Sequence, residues 1–293
     1  MKSIKDALSD YASILTDGQM VDTSHFYDFR QNIFPEEMED RFKKMFLAGD
    51  GNELVSKACA VNSSSMLGYN FFHWIKEETP MAIDGIIYDT VLFEVKIPVL
   101  KGTTPANMDI VLKNGSGDYL FIESKFLEYL NSNSFKISDT YKNKADKYYY
   151  AGDRWTRFIS EYDVHMKEQY WDGIKQEICH MIGLTNWLNH ETVVGNCDHY
   201  EPYTDRGNIS FINLVFEPNQ DFKIEHERFN SYKARYEELH NALKDNSLIP
   251  DKLKIGFKTY SDLWRDLTSS NIPVGLKEYL YEHYMKFAEN VQN

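Results

Sequence analysis

The feature that most constrains this chain is a pair of apolar, strand-like runs separated by a segment that is rich in turn-forming residues. The runs cover residues 107–112 and 119–126, and the sequence KNGSGD at 113–118 lies between them. Asn, Gly and Asp tolerate the left-handed backbone conformations that tight hairpin turns require. The pattern therefore predicts an antiparallel hairpin in which each run forms one strand.

Three charged residues lie within the two apolar runs, Asp109 in the first and Glu123 and Lys125 in the second. A turn centred on Ser116 places Asp109 directly opposite Glu123, with a Cβ separation of about 5 Å. Lys125 follows Glu123 by two positions, so its side chain leaves the same face of the strand. The sequence thus predicts that three charged groups converge at one edge of an otherwise apolar hairpin.

Two carboxylates at this separation repel each other unless a cation lies between them. A site with few protein ligands, all of them oxygen atoms, suits Mg²⁺, and Mn²⁺ is the alternative cofactor. The candidate metal ligands are Asp109, Glu123 and the backbone carbonyl of Ser124. The cation would lower the pKa of a bound water, which Lys125 would orient or help to deprotonate. The Asp and Glu-x-Lys spacing is short enough to arise by chance. Edge strands also often carry such residues as solvated charges.

A second Glu-x-Lys sequence, formed by Glu94 and Lys96, lies in the strand-like run at 88–99. Asp89 is an odd number of positions from Glu94, so the two side chains face opposite sides of a continuous strand. Asp84 lies outside the run, and no hairpin aligns it with Glu94. We therefore predict that this run is the strand preceding the hairpin and that Glu94 is a solvated charge; the alternative is a secondary metal-binding role for Glu94.

The order of a strand, a strand with Asp, a strand with Glu-x-Lys and then a helix resembles the PD-(D/E)XK nuclease superfamily, which includes many restriction endonucleases. A bacterial restriction-endonuclease-like branch is matched more closely by NSSSMLGYNFFHWI at 62–75, FIESKFLEYL at 121–130 and YWDGIKQEICHMIGLTNWL at 170–188. The matching positions are Ser63, Ser64, Asn70, Glu123, Lys125, Glu128 and Gln176. The resemblance covers about residues 60–260, and it departs from the superfamily at Met108, where the pattern has proline.

The resemblance implies a restriction-endonuclease-like α/β fold, with a mixed central sheet flanked by helices and an N-terminal helical extension. It also implies that Asp109 and Glu123 bind metal and that Lys125 acts on the attacking water. Gln176 would be a further catalytic residue, directed toward DNA or the metal site.

A helix around Gln176 is predicted from its own apolar stripe. Gln176 and His180 are four positions apart, so they share one face of that helix, and a solvated helix face explains them equally well. Glu128 is expected to be a solvated charge beyond the strand end.

Composition limits the class of protein. The chain has 293 residues, of which 42% are hydrophobic and 15% aromatic, as is typical of an ordered globular protein. No apolar run approaches the length of a transmembrane helix, and the first residues lack a signal-peptide core. Three cysteines form an odd and sparse set, which fits a reducing, cytoplasmic compartment.

The formal net charge of −13 opposes binding to a phosphate backbone at long range. Local charge differs, because the segment 136–157 is rich in basic and aromatic residues, a combination typical of DNA-contacting arms. Its candidate nucleic-acid contacts are Lys142, Lys144, Lys147 and Arg154. The alternative is an ordinary lysine-rich surface above a tyrosine-rich packing layer, and an acidic chain also fits a protein partner.

The chain is expected to divide into an N-terminal helical extension at 1–60 and a nuclease-like domain at 61–293, with an insertion at about 130–165. Further helices are predicted at 35–49, 63–78, 168–189, 225–245 and 274–290, and strands at 86–98, 107–113, 119–126, 208–219 and 253–258. The run at 208–219 is apolar on both faces and is therefore expected to be a central strand.

These features favour a Mg²⁺-dependent endodeoxyribonuclease that hydrolyses phosphodiester bonds of DNA. The alternative is a catalytically silent protein of the same fold, acting as a DNA-binding or structural subunit of a defence or DNA-processing complex. An RNA substrate is a third interpretation. Cutting both strands usually needs two sites, which would favour a homodimer, although no sequence feature indicates one.

Overall fold

The computed structural model describes residues 2–49, 54, 57–131, 137–166, 173–191, 201–203, 206–267 and 272–291, with the backbone alone at 163–166. Its helices are α1 (Ile4–Leu15), α2 (Asp40–Ala48), α3 (Ser64–Phe72), α4 (Asp139–Asn143), α5 (Gly152–Met166), α6 (Ile174–Leu188), α7 (Lys223–Asp245), α8 (Tyr260–Leu267) and α9 (Leu276–His283). Its strands are β1 (Met20–Asp22), β2 (His25–Phe26), β3 (Met81–Ile83), β4 (Ile86–Tyr88), β5 (Thr90–Ile97), β6 (Ala106–Lys113), β7 (Tyr119–Lys125), β8 (Ile209–Val215) and β9 (Leu253–Thr259).

Strands β5 to β9 form a five-stranded mixed sheet in chain order. β5, β6 and β7 are antiparallel neighbours, whereas β8 runs parallel to both β7 and β9. β1 pairs with β2 and β3 with β4 in separate small hairpins. The predicted α/β fold, a mixed central sheet flanked by helices with a helix at the N-terminus, is confirmed. β8 is a central strand, as the run at 208–219 predicts.

The hairpin of β6 and β7 has the register that its turn sequence predicts. Ile110 pairs with Ile122, which centres the turn on Ser116. The side-chain oxygen of Asn114 accepts hydrogen bonds from the backbone N–H groups of Ser116 at 3.0 Å and Asp118 at 3.1 Å. This asparagine therefore fixes the turn, and the turn aligns the two strands.

Helices cover both faces of the sheet and bury two apolar clusters. One cluster contains Phe93 and Ile110 together with residues of α1, α2, α3, α8 and α9. The other contains Val95 and Phe121 together with residues of α5 and α6. Helix α7, which corresponds to the charged helix predicted at 225–245, contributes to both clusters, so one of its faces is buried.

The side chains of β5 change from one face of the sheet to the other at Glu94, which lies beside Asp109 of β6. Pairing between the two strands is regular up to Phe93 and resumes at Val95, skipping the position at which Glu94 would face Asp109. Glu94 has a φ of 54°, which is unusual for a residue with a side chain. Phe93 and Val95 lie in opposite clusters, although residues two apart in a regular strand share a face. A backbone irregularity therefore lies directly beside a predicted metal ligand.

The prediction that Glu94 is a solvated charge is wrong. The residue is 5% exposed, and its Oε2 accepts a hydrogen bond from Nδ2 of Asn107 at 3.2 Å. A Cβ atom on Gly49 would lie 2.8 Å from the same oxygen, so the end of α2 closes over the carboxylate. The change of faces turns the Glu94 side chain inward. The prediction from sequence assumes that side chains alternate regularly along a continuous strand, so it cannot detect this change.

Some element boundaries differ from the predictions. The first 60 residues contain a small β-hairpin between α1 and α2, and α2 begins at Asp40 rather than at 35. Helix α3 begins as predicted, because Oγ of Ser63 caps it by accepting a hydrogen bond from the N–H of Met66, but it ends at Phe72. The strand predicted at 86–98 is divided into β4 and β5, and α9 ends at His283.

The predicted start of α6, at 168–172, lies outside the described residues. The division into an extension at 1–60 and a domain at 61–293 stays a prediction. Within the described residues, none of the helices combines the length and the apolar character that a membrane crossing requires.

Asn70 of α3 holds three distant segments together. Its Oδ1 accepts a hydrogen bond from the N–H of Phe34 at 2.9 Å. Its Nδ2 donates to the backbone oxygen of Asn32 at 2.9 Å and to the hydroxyl of Tyr284 at 2.9 Å. Asn70 is 0% exposed, so each of these groups would lose a buried partner if the amide were removed.

We predict that Asn70→Ala lowers the free energy of unfolding by about 2–4 kcal/mol, because the substitution leaves several buried polar groups unpaired. Urea denaturation followed by circular dichroism measures the change. Asn230→Ala, on the exposed side of α7, is the matched control and should change the stability by less than about 0.5 kcal/mol. Equal losses in the two variants would contradict the role of Asn70.

Candidate active site

The predicted residues Glu123, Ser124 and Lys125 form the C-terminal end of β7. Glu123 and Ser124 are each 1% exposed, and Lys125 is 6% exposed. β7 has a neighbouring strand on each side, so these residues do not lie at an edge of the sheet. Two charged groups are therefore held inside the protein, which excludes the alternative of solvated charges on an edge strand.

Lys125 joins Glu123 to Gln176. Its Nζ donates hydrogen bonds to Oε1 of Glu123 and, at 2.9 Å, to Oε1 of Gln176. Gln176 is half-buried in the first turn of α6, which packs on this face of the sheet. The structure thus brings together three of the predicted site residues from two separate elements.

Asp109 lies beside this group on β6 and is half-buried. Its Oδ2 accepts a hydrogen bond from the backbone N–H of Ser124 at 2.8 Å. The pairing of β6 with β7 ends at Ile110 and Ile122, one position short of Asp109 and Glu123. Because the charges of Glu123 and Lys125 both act on Asp109, the three charged residues share one environment.

Burial changes the protonation of all three groups. Burial, helped by the nearby charge of Glu123, raises the pKa of Asp109 to about 8. Burial also raises the pKa of Glu123, although Lys125 opposes this shift. Burial alone would lower the pKa of Lys125, but the carboxylates of Glu123 and Asp109 outweigh it and raise that pKa above its usual value. Lys125 therefore stays protonated, and a cation bound beside Asp109 would favour the ionised form of its carboxyl group.

The arrangement fits a cation that has few protein ligands. Oε2 of Glu123 is buried and has no hydrogen-bond partner among the described residues. The part of the chain that the structure describes contains no group of three or more His, Cys, Asp or Glu side chains that could hold a metal ion. A cation here would therefore depend on Asp109, Glu123, backbone oxygen atoms and water, and Mg²⁺ is usually held in this way.

Ser124 connects the site to the opposite face of the sheet. Its Oγ donates to the backbone oxygen of Ser64, the first residue of α3, at 3.0 Å. The hydroxyl of Tyr260, 2.7 Å away, then donates to the same Oγ. Sequence reasoning identified both serines but missed Tyr260, because no local pattern connects the start of α8 to β7.

His180 lies beside Glu123, although sequence reasoning related it only to the helix face of Gln176. Its Nδ1 lies 3.5 Å from Oε2 of Glu123, and its Nε2 lies 3.1 Å from the backbone oxygen of Asn107. Burial lowers the pKa of His180 to about 4, so the ring is neutral near pH 7. The four-residue spacing from Gln176 is the sequence signal that points to it.

A second set of buried polar side chains connects α6 to α7 and β8. Oε1 of Glu177 is 2.6 Å from Nε2 of His240, and Oε2 of Glu177 accepts a hydrogen bond from Nδ2 of Asn213 at 3.4 Å. Asn213 is the β8 residue that pairs with Glu123. These contacts fix α7 and α6 against the sheet below the site, and no sequence pattern reveals them because they join three distant elements.

Glu128 terminates β7, so the prediction of a solvated charge is wrong. Its Oε2 accepts a hydrogen bond from the backbone N–H of Phe126 at 2.7 Å, and the residue is half-buried. The bond satisfies a backbone group that the sheet leaves unpaired at the strand end.

The candidate nucleic-acid contacts are arranged on α4, on a short 3₁₀ turn at Ala145–Lys147 and on α5. Lys144 and Arg154 are exposed, whereas Lys142 and Lys147 are half-buried. Arg154 donates a hydrogen bond to the backbone oxygen of Ser247 at 3.0 Å. Residue 136 of this segment lies outside the described residues.

The aromatic residues of the same segment belong largely to the packing layer. Tyr148 and Trp155 are buried, so they cannot stack on nucleic-acid bases in this conformation. Tyr141 accepts a hydrogen bond from Sγ of Cys179 at 3.3 Å. This contact joins α4 to α6 at Cys179, about one helical turn after Gln176.

One comparison with known proteins gives a match over almost the whole chain. A family model described as "Restriction Endonuclease associating with ARP" matches residues 5–285. The matched range includes all five strands of the central sheet and α6. No curated protein and no solved structure matches the chain.

We predict that, in the presence of EDTA, the protein loses stability progressively as the pH rises from about 4 to about 8. The pKa of Asp109 in the folded protein, about 8, exceeds its unfolded value of about 3.9. The folded state therefore binds this proton more tightly, and the resulting stabilisation, complete below the unfolded pKa, is lost as the pH rises through about 8. Asp109→Asn should flatten the dependence of the thermal unfolding midpoint on pH.

Asp251→Asn is the control for this measurement, because Asp251 lies in an exposed turn before β9. That variant should keep the wild-type slope. A slope that is the same in the wild type and in Asp109→Asn would contradict the raised pKa.

Proposed function

Because the chain belongs to the family of restriction endonucleases associating with ARP, we propose that it is a PD-(D/E)XK-type endonuclease that hydrolyses phosphodiester bonds of DNA with Mg²⁺. The observation that carries the proposal is the buried contact of Lys125 with both Glu123 and Gln176, beside Asp109. This contact joins a Glu-x-Lys strand to the helix that follows it, and the superfamily resemblance implies the same order.

Asp109, Glu123 and the backbone carbonyl of Ser124 would hold the Mg²⁺, which would supply a water of lowered pKa and positive charge against the phosphate. Two of these groups are already oriented by the chain. The N–H of Ser124 holds the carboxylate of Asp109, and Lys125 holds Oε1 of Glu123. Orientation before substrate binding reduces the reorganisation that the reaction requires.

Lys125 acts as a hydrogen-bond donor rather than as a base. Its raised pKa keeps the ammonium protonated, so it has no lone pair with which to remove a proton from water. In this role it would orient the attacking water toward the phosphorus atom, while Gln176 fixes the direction of the ammonium. Of the two roles that the sequence leaves open for Lys125, the contacts support orientation.

DNA would reach the site across the surface formed by α4 and the turn at Ala145–Lys147. Lys142, Lys144 and Lys147 would contact phosphate groups there, and Arg154 would extend the surface along α5. A homodimer would supply a second site for the second DNA strand. Parallel cleavage assays with DNA and with RNA would identify which nucleic acid is the substrate.

We predict that purified protein nicks or cuts plasmid DNA in the presence of Mg²⁺ and that EDTA abolishes the reaction. Asp109→Ala, Glu123→Gln and Lys125→Ala should each reduce the cleavage rate at least about 100-fold, because each removes a group that acts on the transition state. Agarose-gel assays of supercoiled DNA under single-turnover conditions measure the rate.

Lys96→Ala is the matched control for Lys125→Ala, since Lys96 belongs to the other Glu-x-Lys sequence of the chain. It should leave the rate within about 3-fold of the wild type. Cleavage that survives all three site substitutions would refute the site assignment. Specific DNA binding by a wild-type protein that cuts nothing would favour the catalytically silent subunit.

We predict that replacing Lys142, Lys144 and Lys147 together by Ala weakens DNA binding and flattens its salt dependence. Each lost phosphate contact should lower the slope of log K against log salt by about 0.9, so the triple variant should lose about 2 to 3. Fluorescence anisotropy of labelled DNA across a salt titration, with EDTA present to prevent cleavage, measures both effects.

The control replaces Lys5, Lys44 and Lys277, which are exposed on helices of the other layer. Both triple variants remove the same net charge, so a long-range electrostatic effect would weaken binding equally in the two. A local contact surface requires the loss to be confined to the first variant.

A further inference from the structure

His180 of α6 faces the carboxylate of Glu123 across a buried gap. Nδ1 of His180 lies 3.5 Å from Oε2 of Glu123, and both residues are 1% exposed. Neither atom has a hydrogen-bond partner among the described residues. Buried polar atoms are almost always paired, so two facing atoms without partners indicate a missing species between them.

The other ring nitrogen fixes the tautomer of His180. Its Nε2 lies 3.1 Å from the backbone oxygen of Asn107, and a carbonyl oxygen only accepts hydrogen bonds. Nε2 therefore carries the proton, which leaves a lone pair on Nδ1 directed at Glu123. An ionised Glu123 would then place two acceptors opposite each other, and this is repulsive unless a positive species joins them.

A divalent cation fits this gap better than a shared proton does. Two donor atoms that each lie about 2.1 Å from one cation are about 3.0 Å apart at an octahedral angle and about 3.4 Å apart at a tetrahedral one, so the observed 3.5 Å needs only a small closure. That separation is long for an O–H···N hydrogen bond. A hydrogen bond from the second ring nitrogen to a carbonyl is also the usual support of a metal-binding histidine.

The contacts of Glu123 leave its Oε2 atom available to a cation. Lys125 binds Oε1, whereas Oε2 is the oxygen directed at His180. Glu123 and His180 already face each other, whereas Asp109 is hydrogen-bonded to the N–H of Ser124. Because the described residues form no group of three such side chains, water and backbone oxygen would complete the coordination.

We propose that His180 is a nitrogen ligand of the cation held by Glu123, so that the site prefers a first-row transition cation, such as Mn²⁺ or Co²⁺, to Mg²⁺. Imidazole nitrogen favours these cations, whereas Mg²⁺ strongly prefers oxygen ligands. The inference rests on the proposed function, which supplies the reason for a cation at Glu123, and it gives α6 a direct role in selecting that cation.

Electron spin-echo spectroscopy of the wild-type protein with substoichiometric Mn²⁺ tests the proposal. The expected result is a modulation from a directly bound imidazole nitrogen, which disappears in His180→Asn. His73→Asn is the matched control, because His73 is also buried but lies at the end of α3. The wild-type measurement needs no substitution, so it decides the question even if His180→Asn fails to fold.

Competition calorimetry supplies a second readout that does not depend on activity. The ratio of Mn²⁺ affinity to Mg²⁺ affinity should fall about 10-fold or more in His180→Asn, and His73→Asn should keep the wild-type ratio. The absence of nitrogen modulation in the wild type, a lack of Mn²⁺ binding, or an unchanged ratio in folded His180→Asn would overturn the assignment.

The outcomes separate this inference from the proposed nuclease function. DNA cleavage by a protein whose bound Mn²⁺ shows no nitrogen modulation would refute the role of His180 and leave the nuclease function intact. Nitrogen modulation in a protein that cleaves no DNA would support the ligand assignment and refute the nuclease function.

Discussion

The buried contact between Lys125 and Glu123 is the interaction on which the rest of the site depends. Removing each charge from water costs several kcal/mol, so each must find compensation inside the protein. Lys125 obtains it from Glu123 and Gln176, and this ties β7 to α6. Burial, with the nearby charge of Glu123 as the second cause, raises the pKa of Asp109, and the single charge of Lys125 does not offset it. An interior with an excess carboxylate is prepared to exchange a proton for a cation.

The position of Asp109 depends in turn on an irregularity shared by two strands. Met108 and Ile110 face opposite clusters, so the side-chain alternation of β6 changes at Asp109, beside the positive φ of Glu94. The pairing of β5 with β6 skips Asp109, and the carboxylate of Asp109 accepts a hydrogen bond from the N–H of Ser124. Sparsely populated backbone conformations persist where the surroundings fix them, and they are common at functional sites.

The sequence suffices to predict the hairpin because turn chemistry and strand alternation are local properties. Asn114 fixes the turn through its own side chain, and the resulting register needs no information from the rest of the fold. The burial of Glu94 cannot be predicted in this way. The alternation rule assumes a continuous strand, and the side chains of β5 change faces at this residue. Tyr260 and His240 are invisible to it as well, since their contacts with the site region join distant parts of the chain through helix packing.

The acidity of the chain constrains how the proposed site would meet DNA. A net charge of −13 repels phosphate groups, but the Debye length of about 8 Å at physiological ionic strength screens distant carboxylates. Positive groups close to the scissile bond therefore decide whether DNA binds. Helix α4, which carries Lys142, contacts α6 through Tyr141 and Cys179. A divalent cation at Glu123 would add positive charge at the site itself. Attraction would thus be concentrated where the chemistry occurs, and DNA would gain little from the remaining surface.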